Sequence, residues 1–258
     1  MVYKAITFEV TDGIGVITLN RPDKLNALSS QMRAEIPDAI HHAETDGARV
    51  VVITGAGNSF CSGQDLSATS VGGADMERGL RDEYNPMLRA IHECRLPVIS
   101  AVNGAAAGAG ANLALAADVV IASESAYFLQ AFTRIGLIPD AGGTYWLPRQ
   151  MGAAKAMGAA LFADKITARQ ADEWGMIWEC VADDGFDAHW RARAAHLAAG
   201  PTRAYELTKR AIRGSWDNSF EDQLTTEAKL QGKAGKSRDF KEGVVAFLEK
   251  RKPHFEGR

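Results

Sequence analysis

Short apolar runs alternating with stretches of helical period limit the fold of this chain more than any other feature. "RVVVIT" (49–54) is bounded by charge and Gly and reads as a buried strand. "PVISAV" (97–102) and "DVVIAS" (118–123) read the same way. The stretches between them are helical. One runs from Ser30 to about Glu44, with Ser29 as N-cap and a bend at Pro37. A second covers Glu77 to Glu93, and a third opens near Gly108. Such alternation implies an α/β fold with parallel sheet built from crossover units. Before it, "YKAITFEV" and "IGVITLN" flank an Asp12-Gly13 turn signal and predict a hairpin. After it come "AYFL", a helical stretch from Tyr145 to Phe162 broken at Gly152, the short helix "ARQADEWG" and a last strand "IWECV". From Asp187 onward the chain reads helical, punctuated at Gly200-Pro201 and Gly214. Residues 1–195 are thus expected to form the α/β core and 196–258 a helical appendage. "SATSVGGAD", Ser67 to Asp75, is the most linker-like segment and is expected to be mobile.

At 258 residues the chain is long enough for one large domain, and 46% hydrophobic content suits a globular core. A net charge of -3 gives no general pull toward nucleic acid or an anionic membrane. Cys61, Cys94 and Cys180 are odd in number and widely spaced, so neither a disulfide framework nor a zinc site is indicated. A reducing cytoplasm fits. The start "MVYKAITFEV" has no secretory or transit character, and the uncharged run Leu96 to Ala117 is too rich in Ala and Gly for a membrane span.

Three loops carry the candidate chemistry. "NGAAAGAGANLALAAD" (103–118) follows a predicted strand and runs into a helix, with no nucleophile or base between Gly104 and Ala111. Either it is a tightly packed connection, or its backbone N–H groups are the functional groups. No Gly-Lys-Ser/Thr follows and the dinucleotide spacing is wrong, so the phosphate-loop reading is weak. "GAGNSFCSGQDLS" (55–67) is a second Gly-rich turn after a strand. Two such loops can each aim one N–H at the same oxygen. "RIGLIPDAGGTYWLPR" (134–149) holds Asp140 before a helix, where a turn aspartate is the plain reading. Cys61 reads as a small buried thiol, and the six histidines show no triad or metal spacing.

The chain resembles the crotonase, or enoyl-CoA hydratase/isomerase, superfamily over essentially its whole length. The resemblance rests on "ITLNRPDKLNAL", "VVITGAGNSFCSGQDL", "PVISAVNGAAAGAGANLALAADVVIAS", "GLIPDAGGTYWLPR" and "EGVVAFLEKRKPHF". It implies a spiral of ββα units with a C-terminal α-helical trimerisation region at 196–258, and a homotrimer or hexamer. It also implies an acyl-CoA thioester substrate, with CoA as part of the substrate and no further cofactor or metal. In that family an N–H from each Gly-rich loop holds the thioester oxygen; here these are Gln64 and Ala109. The resemblance places CoA beside Lys24, Leu25, Ala27, Ser62, Gly63, Gln64, Asp65 and Leu66, with Phe247 and Lys250 reaching it from a neighbouring subunit. It assigns Phe132, Ile138 and Asn112 to the acyl pocket.

Family hydratases carry two Glu residues at positions that match Asn112 and Phe132, so water addition is disfavoured. Asp140 matches the catalytic Asp of several family isomerases. Burial beside Ile138, Phe132 and Trp146 is expected to raise its pKa. Within the family, "FCSGQDL", "YNPMLRAI", "GAAAGAGANLAL", "GLIPDAGGT" and "ADEWGMIW" most resemble the ring-1,2-epoxyphenylacetyl-CoA isomerases of phenylacetate degradation. Other readings stay open: a hydratase drawing an acid such as Glu83 from the mobile segment, or an idle acyl-CoA- or RNA-binding member. A pI near 6.1 and the lack of a basic run disfavour RNA.

Overall fold

The computed structural model describes residues 2–65 and 75–258, and it begins with the expected hairpin: β1 (Ile6–Thr11) pairs antiparallel with β2 (Ile14–Leu19). Ser29 Oγ accepts from Met32 N and opens α1 (Ser30–Thr45), which continues through Pro37. The chain then repeats one pattern. β3 (Val50–Gly55) is followed by β4 (Ser59–Cys61), and β5 (Val98–Val102) by β6 (Ala105–Ala107) and α4 (Ala109–Leu115). β7 (Val119–Ser123) is followed by β8 (Tyr127–Leu129).

The first strand of each pair joins a six-stranded sheet ordered β1-β2-β3-β5-β7-β10, with β10 at Glu179–Val181. The second joins a four-stranded sheet ordered β4-β6-β8-β9, with β9 at Lys165–Thr167. Each circuit lays one strand in each sheet, which is the spiral of ββα units. The larger sheet is parallel from β2 onward. It is buried on both faces, which explains its continuous apolar strands. Val51 and Ile53 enter the main core under α1, whereas Val50 and Val52 pack with Phe186 and Trp190 of α7 (Phe186–Ala198).

Between β4 and β5 the expected helix is three pieces: α2 (Met76–Gly79), a π-helical turn (Leu80–Tyr84) and α3 (Asn85–Glu93). Pro86 has no N–H for the Asp82 carbonyl and its ring crowds that turn, so the wider turn sits where a regular α-helix would clash. Glu83 therefore lies in this turn, which corrects the sequence reading that drew it from the mobile segment. Residues 67–74 of that segment lie outside the described residues, and Leu66 with them.

α5 (Gly143–Phe162) contains the expected break, with Gly152 at φ 78° and ψ 159°, and α6 is the short helix Ala168–Glu173. Helices α8 (Thr202–Gly214), α9 (Phe220–Ala234) and α10 (Arg238–Leu248) form the tail. The 195/196 boundary falls in the last turn of α7. Asp118 anchors the tail: its carboxylate meets Lys209 and Arg213 of α8, each at 2.7 Å, and accepts from Val98 N. Among the described residues no helix is long and apolar enough to cross a membrane.

Candidate active site

Parallel pairing of β4 with β6, Ser59 to Ala105 and Cys61 to Ala106, puts the loops that follow these strands side by side. Contact there is backbone to backbone. Gly63 has φ 97°, and a Cβ on it would stand 2.8 Å from the Ala107 carbonyl oxygen and 3.6 Å from Ala109 N. A Cβ on Gly110 would stand 2.2 Å from the Cys61 carbonyl oxygen. The Gly and Ala of the 103–118 stretch are thus needed for close approach. Gly108 N donates to Leu129 O at 2.7 Å and opens α4, so Ala109 carries the first N–H of a helix and has no acceptor within it. The Gly63–Gln64 turn and the Gly108–Ala109 turn face one another across this contact.

A second segment runs along the first loop. Ser62 N donates to Leu25 O at 3.0 Å, Leu28 N to Gly63 O at 2.8 Å and Asp65 N to Leu28 O at 3.2 Å. This brings Lys24, Leu25 and Ala27 beside Ser62, Gly63, Gln64 and Asp65. Leu25 has φ 48° and is exposed. Sequence reasoning missed the residue that holds this segment. Asn26 is fully buried, its Oδ1 accepts from Arg21 N, and its Nδ2 donates to Ala56 O and Ser59 O. Its signal was Asn in a positive-φ turn, φ 56°, within "DKLNAL". Asp65, assigned to CoA, has an ion pair with Arg21 at 2.7 Å.

Asp140 lies in a turn completed by Ala141 (φ 48°) and Gly142 (φ 80°), two successive left-handed residues. Its carbonyl accepts from Gly143 N at 2.8 Å and from Asn112 Nδ2 at 2.7 Å. Its carboxylate Oδ1 is buried and has no hydrogen-bond partner among the described residues. Burial raises its pKa to about 6, and its own backbone N–H pulls slightly the other way. Phe132 is buried, with its ring edge 3.8 Å from the place of a Gly108 Cβ. Trp146 packs on the turn, its Nε1 2.6 Å from the place of a Gly142 Cβ. Ile138 does not join them: it follows the 3-10 turn Ala131–Ile135 and is 75% exposed.

Asn112, assigned to the acyl pocket, is instead fully buried and engaged at both ends of its amide, with Oδ1 accepting from Gln130 Nε2 at 2.9 Å. Tyr84, another residue sequence reasoning missed, is buried near Asp140 and Cys61. Burial above all, with those two acids added, raises its phenol pKa, and the Arg33 charge opposes this. Arg33 stacks on the Tyr84 ring at 4.5 Å and bonds Glu83 at 2.6 Å. That hydrogen bond holds the Glu83 carboxyl below its usual range, so it is a poor base. Cys61 is a fully buried thiol pushed up to about 12 by burial, not a nucleophile at neutral pH. Phe247 and Lys250 stand at the exposed end of α10, with Phe247 82% exposed.

The arrangement sets two Gly-rich turns against one another and ties the turn of a half-buried carboxyl, whose charged form is disfavoured, to α4 through Asn112. It suits removal of a proton next to a carbonyl whose oxygen gathers charge. The profile of the enoyl-CoA hydratase/isomerase family matches residues 9–258. A protein of Rhodobacter capsulatus named probable enoyl-CoA hydratase is 59% identical over the full length of both chains. The 1,2-epoxyphenylacetyl-CoA isomerase of Escherichia coli is 45% identical over 98% of each chain. Among solved structures, an enoyl-CoA hydratase from Bacillus anthracis superposes with a TM-score of 0.92 at 31% identity, covering 99% of this chain and 100% of the other.

Proposed function

The chain belongs to the enoyl-CoA hydratase/isomerase family, and on that premise we propose that it is an isomerase that moves a double bond by proton transfer next to a thioester. The acyl-CoA binds as substrate, with CoA along Lys24, Leu25, Ala27 and the 62–66 loop, and no separate cofactor takes part. The Gln64 and Ala109 N–H groups receive the thioester oxygen. Asp140 takes the proton from C2 and returns it at C4, so that one carboxyl serves as base and then as acid. Preorganised N–H donors of this kind are worth about 2.7–4 kcal/mol of barrier each, and a positioned base roughly 10²–10⁴-fold.

The observation that carries this reading is the carboxyl inventory. Asp140 is half-buried beside the two loops with a raised pKa, while the two positions where family hydratases keep Glu hold Asn112 and Phe132. The finer substrate in this proposal is ring-1,2-epoxyphenylacetyl-CoA, converted to the oxepin in phenylacetate breakdown. It is supported by the motif resemblance and by the name of the Escherichia coli relative. The second reading, a broad hydratase, is favoured by the name of the Rhodobacter relative. It is disfavoured by the Glu83–Arg33 pairing, which leaves no second acid near the loops from the residues weighed for that role. The proposal includes a cytoplasmic homotrimer or hexamer assembled through residues 196–258.

The test is incubation with epoxyphenylacetyl-CoA, cis-3-enoyl-CoA and trans-2-enoyl-CoA, followed by mass and ultraviolet spectra. Isomerisation leaves mass unchanged and hydration adds one water. Fast hydration of the trans-2-enoyl ester, with no isomerisation of the others, would reverse the assignment.

A further inference from the structure

The position that family hydratases use for an acid is here the middle of a buried amide chain. Gln130 Nε2 donates to Asn112 Oδ1 at 2.9 Å, and Asn112 Nδ2 donates to the Asp140 carbonyl at 2.7 Å. Gln130 is 1% exposed and Asn112 fully buried. The direction of this chain is dictated at one end. A peptide carbonyl only accepts, so Asn112 must turn Nδ2 toward Asp140 and Oδ1 away, and Gln130 must then present Nε2. There is no slack around the amide. A Cβ on Gly143 would stand 2.4 Å from Asn112 Nδ2, so Asn112 lies flat on the first residue of α5. Gln130 follows β8, Asn112 is on α4, and Asp140 precedes α5. Three elements are thereby locked at the aspartate.

We propose that Gln130 is a positioning residue: acting through Asn112, it fixes the Asp140 peptide and so aims its carboxylate at the substrate. This rests on Asp140 being the base. Asp140 Oδ1 has no hydrogen-bond partner among the described residues, so the side chain is steered from its backbone. Ala141, a non-Gly residue at φ 48°, strains this turn, so the turn keeps its shape only while its neighbours fix it.

The test compares Gln130→Met, Gln130→Glu and Asp140→Asn in the full chain, with cis-3-enoyl-CoA as substrate, from pH 5 to 9, and with thermal unfolding of each. Gln130→Met removes the donor and leaves Asn112 without a guide. Gln130→Glu keeps the shape but sets an acceptor against Asn112 Oδ1. Asn112 then flips and turns its own oxygen on the Asp140 carbonyl. The expected result is a kcat about tenfold lower for Gln130→Met and about 100-fold lower for Gln130→Glu above pH 7, with KM within a few-fold, the scale of a small misplacement of a reacting group. The acid limb of kcat, near pH 6 in the parent, should move down in Gln130→Met as water reaches the loosened turn, whereas the like charge of a carboxylate at 130 opposes that shift in Gln130→Glu. A role in packing alone predicts the reverse order, since Glu matches Gln in shape, and an unmoved acid limb in Gln130→Met. If Gln130→Glu does not fold, Gln130→Met decides by its kcat and acid limb. Parent-like kcat in the Gln130 variants and a parent-like acid limb in Gln130→Met, with Asp140→Asn inactive, overturn the positioning role alone. An active Asp140→Asn overturns the assignment of the base and this inference with it.

Discussion

Burial lifts the Asp140 carboxyl to about 6, so the same environment that makes it a stronger base also makes its charged form unwelcome in the fold. The two effects separate in Asp140→Asn. As a base Asp140 must be ionised, so kcat of the parent should rise through pH 6 and level off above it, and the variant should lose about two to four orders of magnitude at the plateau. Binding of CoA esters should stay within a few-fold. Stability should move the other way. Below the unfolded pKa of an aspartate, Asp140 is protonated in both states and the variant gains nothing. The gain opens as pH rises between the unfolded and folded pKa values and is complete above the latter. It should reach roughly 1–2 kcal/mol, since water still reaches part of the half-buried side chain. Thermal unfolding at pH 4 and pH 8 checks this: an equal melting temperature at both pH values would show that the carboxyl is not strained by burial. Asp140 and its turn were legible in sequence, because "PDAGG" is a turn pattern and the family motif marks it. Asn112 was legible only as a missing acid. Its hydrogen bonds run to residues 18 and 28 positions away, and no local pattern encodes an amide chain of that span.

Elements of three residues set the distance between the two N–H loops. β4, β6 and β9 are each that short, too short to show a period, and β4 and β6 hold no β-branched residue. The longer strands were legible because burial on both faces makes them continuous apolar runs. The π-turn at Leu80–Tyr84 was hidden for a different reason: its cause, Pro86, also suits the first turn of an ordinary helix. These short pieces have testable consequences. Gly63→Ala places a methyl 2.8 Å from the Ala107 carbonyl at a backbone angle that disfavours any side chain. It should pry the loops apart, cost roughly 1–3 kcal/mol of stability, and lower kcat about 10- to 100-fold. An unchanged kcat would mean that the spacing of these loops does not govern the thioester oxygen. Glu83→Gln tests the π-turn: its carboxyl is engaged by Arg33, so the variant should keep isomerisation within a few-fold and lose about 1 kcal/mol of stability, the value of a partly exposed pair. Loss of activity on the scale of Asp140→Asn would instead make Glu83 the base.

Across the whole molecule, apolar side chains on the tail face outward. Phe220 is 74% exposed and Leu224 44% on α9, with Ile212 and Trp216 also exposed at the end of α8. A soluble chain seldom leaves such a cluster bare, which supports the proposed assembly through the tail. Phe247 and Lys250 are on the same tail, at the exposed end of α10, so their proposed contact with CoA requires a neighbouring subunit. The two proposals are coupled and can be tested together. Phe220→Asp with Leu224→Asp should lower the mass seen by light scattering from a multiple of 27.7 kDa to that value, while circular dichroism stays native. Lys250→Ala in the assembled protein should raise KM for CoA esters about two- to five-fold at low salt with kcat unchanged, because a contact to CoA phosphate is equal in ground and transition states. The effect should fade as salt rises. In the dissociated variant KM is already raised, since no neighbour supplies the lysine, and Lys250→Ala should add nothing further. If Lys250→Ala raises KM equally in both backgrounds, the lysine serves the site of its own chain. If it changes KM in neither, CoA phosphate is held elsewhere.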